Sequence, residues 1–268
     1  MGTTGIGHPV NLDTETASDA ARTSGSLPFD QPWVWLAAGW RDLWNKPGIS
    51  LAYGVTATVI GAAIAIGLVL AGLEALIPVL AGGFILVGPV AAVGLYEKSR
   101  RLAAGQPVSI ENTVDAVIRA APRLGLFAAS LLLVYFIWVR IAFLLLMLFL
   151  GTNALPPARD FVQTLLFTPH GLGLLITGTA VGALLAAAVF AISAISIPML
   201  VDRDVDAFTA MGASIEAVVK NPRPMLLWAA LIAGFMALGL ATLGAGLVFA
   251  FPLIGHATWH AYTDVKGR

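Results

Sequence analysis

Two histidines four residues apart, His256 and His260, are the first candidates for metal chemistry in this chain. At that spacing two imidazoles share a helix face and can hold zinc, or one can ligate a haem iron. A third ligand is not obvious. The remaining histidines are His8, in a polar N-terminal stretch, and His170, on the opposite side of the membrane in the topology derived below. Glu97, Asp202, Asp204 and Asp264 share the pair's side, but they would make an oxygen-rich and unusual zinc or iron site. The simpler expectation is structural. Each imidazole bonds a nearby carbonyl or the 202–206 turn, Trp259 and Tyr262 join an interfacial aromatic belt, and no metal or cofactor is bound.

Arg140 is the other candidate, because it is the one strong charge inside an otherwise apolar run. A charge near the bilayer centre costs about 2.5–3.5 kcal/mol on insertion scales, so such a residue invites a functional reading. The acids on its half of the membrane are Glu74 and Asp160. Arg140 pairs with one of them, snorkels to the outer interface, or contacts a solute. The run from Asp202 through Arg203, Asp204 and Val205 to Asp206 starts like a calcium loop. Ala207 and Ala213 stand where that loop requires Gly and Glu, so Asp206 reads instead as a helix N-cap. The sequence has no Gly-rich phosphate loop, no Gly-x-Ser-x-Gly, no His-Glu-x-x-His and no cysteine nucleophile. The expectation is a non-enzyme.

Hydropathy dictates what must position these residues. The chain is 58% hydrophobic and 11% charged, against roughly 45–50% and 25% in soluble domains. The stretch 224–263 contains no Asp, Glu, Lys or Arg over forty residues. As one helix it would run about 60 Å, twice the roughly 30 Å hydrocarbon core, so it must cross twice with a turn near Gly244 to Gly246. Six spans are expected, at 49–73, 75–96, 124–150, 172–201, 225–243 and 247–262. Residues 1–30 read as a disordered tail and 31–268 as one membrane domain. The segments assigned to one side hold thirteen of the fifteen basic residues, which places both termini in the cytoplasm. Zero net charge argues against nucleic acid, and the lipid bilayer is the expected partner, with another membrane protein as a further one.

An amphipathic segment precedes each odd-numbered span. The first aligns Trp33, Leu36, Trp40, Leu43 and Trp44 opposite Arg41, Asp42 and Asn45. The second starts at Ser109 and aligns Ile110, Val114, Val117 and Ile118. The third starts at Asp206 and aligns Phe208, Met211, Ile215, Val218 and Val219. Each meets a proline, Pro47, Pro122 or Pro222, and each even-numbered span carries one, Pro89, Pro198 or Pro252. The pattern reads as a threefold parallel repeat over 31–105, 106–205 and 206–268. Small-residue ladders at Ala57, Gly61, Ala65 and at Gly178, Gly182, Ala186 suit helix–helix contact. A short surface helix is expected over 157–167.

The run Ser196-Ile197-Pro198-Met199-Leu200-Val201-Asp202-Arg203-Asp204-Val205-Asp206, with Ser214 and Asn221-Pro222, resembles an uncharacterised bacterial six-span integral-membrane family, domain of unknown function 2189. Pro252 to Tyr262, including Trp259, His260 and Tyr262, looks like that family's closing motif. The resemblance covers about 33–264 and implies an all-α fold and an inner-membrane address, with no activity attached. The functional expectation is a non-enzymatic accessory or structural membrane component. The alternative is a small-solute or ion pathway near Arg140.

Overall fold

Prolines and capping side chains set where the helices begin in the computed structural model, which describes residues 27–73, 77, 88–151 and 158–267. Helix α1 is Gln31–Trp44. Helix α2, Pro47–Leu70, starts with proline in its first turn, where the absent N–H is not missed, after Lys46 in a left-handed conformation. Helix α3 is Val93–Ala103. Helix α4, Ile110–Leu150, is capped by Ser109, whose hydroxyl accepts the Asn112 N–H at 3.2 Å. Helix α5, Ala158–Phe167, is the expected short helix. Helix α6, Pro169–Ser193, is capped by Thr168 on the Gly171 N–H at 3.0 Å. The short α7, Ser196–Asp202, leads to α8, Ala207–Lys220, whose cap is Asp206 on the Thr209 N–H at 3.0 Å. Helix α9 is Pro222–Ala241 and α10 is Leu247–Lys266. The turn between them falls at residues 242–246, where the spacing places it.

All regular structure among the described residues is helical. Helix α10 packs against α1, α2, α3 and α9, while α4 packs against α6 and α3. Among the described residues four helical runs are long and apolar enough to cross a membrane, at Pro47–Leu70, Ile110–Leu150, Pro169–Asp202 and Pro222–Ala241. The expected span 75–96 falls largely outside the described residues, as does Glu74. The expected span 247–262 is helical but buries twelve of the twenty residues of α10 against other helices.

The proline steps are not equivalent. Pro47 and Pro222 open new helices, whereas Pro122 lies inside α4. That helix runs 41 residues without a break, about 60 Å, so its first three turns extend the span instead of hinging from it. Pro252 likewise lies within α10. At Pro198 the chain does break, one turn earlier. There Ile195 leaves helical geometry and gives its N–H to Ser214 Oγ at 3.3 Å, while Ser196 Oγ bonds the carbonyls of Ile192 and Ala210. The break is thus satisfied by α8, as a helix interruption in lipid requires. Of the glycine ladders, Gly182 lies against Trp138, while Gly61 and Gly178 face open space.

All three amphipathic segments turn apolar side chains outward. In α8 the buried row is Ala207, Ala210, Ser214 and Ala217, while Phe208 and Val219 are exposed. In the first turns of α4 it is Thr113, Ala116 and Ala120, with Ile110, Val114, Val117 and Ile118 exposed. In α1 the aligned row divides. Leu36 and Leu43 join Trp35 in the core, and Trp33, Trp40 and Trp44 form an exposed stripe. Small residues inside permit close approach, and large ones outside meet what surrounds the protein.

Candidate functional site: a buried polar chain

Helices α1, α2, α3 and α10 meet around His256, which is fully buried. Its Nε2 is 2.8 Å from Ser50 Oγ on α2 and its Nδ1 is 2.8 Å from Ser99 Oγ on α3. Lys98 Nζ donates to Ser50 Oγ at 2.6 Å and to the Lys46 carbonyl at 3.2 Å. Asp42 on α1 lies beside this group, its Oδ2 2.9 Å from His260 Nε2. One donor order satisfies both ring nitrogens: Lys98 to Ser50, Ser50 to His256 and His256 to Ser99. The imidazole stays neutral in that order, with the Lys98 ammonium at one end of the chain and the Ser99 hydroxyl at the other.

The charges respond to this setting. Burial pushes the Lys98 ammonium down from its ordinary 10.5 to about 8, against the attraction of Asp42. For Asp42 burial acts upward, and the hydrogen bond from His260 together with the nearby Ser99 hydroxyl outweighs it, leaving the carboxyl below the usual carboxylate range. Glu97, buried beside Lys98, turns away from it and accepts Arg100 Nε and Arg101 Nε at 2.7 Å each.

The two runs that carry the family resemblance meet in space. Asp202 Oδ2 accepts the Tyr262 hydroxyl at 2.7 Å and Lys266 Nζ at 2.5 Å. Asp204 pairs with Arg123 at 3.2 Å, and the Arg203 carbonyl takes a second Arg123 nitrogen. Pro198 is buried in α7. Asn221 closes the end: its side chain accepts the Leu27 N–H at 2.8 Å and donates to the Ala217 carbonyl. Leu27, counted with the tail on composition, is therefore buried and bonded. The contacts among Lys46, Lys98, Arg123, Asp202 and Lys266 draw together segments that basic bias assigns to one side.

Three expectations need correction. The histidines bond Ser50, Ser99 and Asp42, not the 202–206 turn or a carbonyl. Trp259 and Tyr262 are core residues and not a lipid-facing belt, because Tyr262 finds its polar partner inside, in Asp202. Asp42 lies on the inward face of α1, one heptad from Trp35, not on a solvent face. Among the described residues no group of three or more His, Asp or Glu could hold a metal ion. Arg140 is exposed on α4 and makes no hydrogen bond or ion pair to a described residue. Asp160 lines a cavity with Thr164 and Phe167 on the α5 side. Lys98, Ser50 and Ser99 were not foreseen. The one signal available was Asp42 in register with buried Trp35, which demands a polar partner within the core.

A family model described as predicted integral membrane protein (DUF2189) matches residues 76–202, which includes α3, α4 and α7. That stretch is similar to the DUF2189 family. The match ends at Asp202, so the matched portion supplies Lys98 and Ser99, while Asp42, Ser50, His256 and His260 come from outside it. No curated protein and no solved structure matches the chain.

Proposed function

We propose that this protein is a non-enzymatic, multi-pass component of the bacterial inner membrane, cytoplasmic at both termini, that acts through its surfaces as an accessory or structural partner. The observation that carries this reading is the division of its side chains. Lys98, Ser50, Ser99 and His256 are engaged with one another and closed to any substrate, while Trp33, Trp40 and Trp44 stand exposed in one stripe. Closed polar groups clasp four helices together. An exposed tryptophan stripe suits the interface of a bilayer or the flank of a membrane partner.

Two experiments bear on it. Proteoliposomes containing the full chain should hold a proton or potassium gradient as long as protein-free vesicles do. A leak abolished by Arg140→Leu would replace this reading with the solute or ion pathway. In mild detergent a membrane partner should co-purify in stoichiometric amount, and Trp40→Lys should release it while leaving the fold intact.

A further inference from the structure

The geometry points to a second site, a phosphate-binding cavity between α3, α4 and α7 that goes beyond the proposed accessory role. It has a volume of about 150 Å³ and is lined by Arg100, Arg119, Arg123 and Glu97 over a floor that includes Ala120 and Leu200. Three arginines and one glutamate thus line the same cavity.

That carboxylate is oversubscribed. Its two oxygens are held by the Arg100 fork at 2.7 and 2.8 Å, and Arg101 claims one of them again at 2.7 Å. Arg123 is steered by the Leu200 and Arg203 carbonyls, at 3.4 and 3.2 Å, toward Asp204. The Asp204 side chain is 91% exposed, so water screens that pair and leaves Arg123 with charge to offer. Asp202, the other nearby acid, is already held by Lys266 and Tyr262. Arg119, one helical turn before Arg123 on α4, has no hydrogen bond or ion pair to a described residue. Arginines gathered from two helices around one concavity match the tetrahedral oxygens of phosphate, which accept bidentate N–H pairs.

The shared chemistry is a phosphate ester, either the headgroup of an anionic lipid or a soluble phosphate compound. Basic pockets between helices at a membrane's inner face take such headgroups.

The test uses the full chain in neutral detergent, with native mass spectrometry and thermal unfolding, challenged with phosphatidylglycerol, phosphatidylcholine, glycerol phosphate or inorganic phosphate. For a lipid ligand, phosphatidylglycerol is retained over phosphatidylcholine and that retention falls about tenfold in the Arg119→Gln/Arg123→Gln double variant. Arg41→Gln, which removes one exposed positive charge away from the cavity, leaves it unchanged. For a soluble ligand, inorganic phosphate or glycerol phosphate raises the melting temperature of the wild type and not of the double variant, with no lipid preference. Equal retention of phosphatidylglycerol by wild type and double variant, with no response to either phosphate, overturns the site. Should the double variant fail to fold, Arg119→Gln alone applies the same test, because it removes no bond to a described residue, with roughly a fivefold loss expected.

Discussion

Helix α4 carries the most apolar of the candidate spans, at mean hydropathy 2.6, and only 6% of that stretch is buried inside the protein. Helix α10 contains two histidines, two threonines, an aspartate and a lysine, yet buries twelve of its twenty residues. In water the relation would run the other way. Lipid tails are as apolar as leucine, so nothing drives the α4 surface inward, and Ile, Leu and Phe remain where lipid meets them. Polar groups have no such freedom. The imidazole of His256 must find partners inside, and the helix that bears it becomes the centre around which α1, α2, α3 and α9 assemble.

The contrast can be broken most sharply within α4 itself. Phe127 is fully buried and Phe136 is 57% exposed. Phe127→Ala should cost about 3–5 kcal/mol by leaving a cavity, whereas Phe136→Ala should cost under about 0.5 kcal/mol, measured by reversible unfolding in mild detergent. Equal losses would mean that the exposed face of α4 is itself a packed interface.

Next comes the seam between α2 and α10. A methyl on Gly54 would collide with the Val248 carbonyl oxygen, while one on Gly61 would meet open space. Gly54→Ala should destabilise by about 1–3 kcal/mol through forced separation of the helices. Gly61→Ala should be neutral or gain up to about 1 kcal/mol from helix propensity. The same unfolding measurement separates them.

The two histidines should differ in the same sense. His256→Gln removes the link between Ser50 and Ser99 and should cost about 2 kcal/mol, since one buried hydroxyl loses its partner. His260, partly exposed against Asp42, should cost about 1 kcal/mol as His260→Gln. Metal content should be unchanged in both, by elemental analysis. Stoichiometric zinc or iron lost with His256 would sink the structural account.

The smallest effect is a pH dependence. Burial holds Lys98 at about 8 when folded against its ordinary 10.5. A depressed lysine binds its proton more weakly folded than unfolded, so between those values the unfolded chain holds more protons and stability rises with pH. Melting temperatures across pH 7 to 10 should show wild type gaining on Lys98→Met through that window. A constant difference would show that Lys98 titrates normally.

Much of the membrane architecture was written in the residues. Forty uncharged positions before Asp264 required a turn, and it falls at 242–246. Ser109 and Asp206 were recognisable as caps because a short side-chain oxygen before an apolar-periodic run has few better uses. Periodicity also located the amphipathic segments, since helical spacing is a local property. It could not say which way they face. Outward and inward apolar rows read alike in one dimension, and lipid reverses the rule that would decide between them in water.

The sequence by itself determined an all-helical membrane protein, the helix starts after Ser109 and Asp206 and the gathering of its basic residues into one set of segments. Each of these follows from short-range spacing or from transfer between water and lipid. Only the tertiary structure decided that α10 lies at the centre, that His256 stands between two serines with Lys98 beyond one of them, and that Asp42 meets His260. Those partners lie 48 to 218 residues apart. No local pattern encodes such a pairing, because it depends on which small residues let the helices approach closely enough for buried polar atoms to meet.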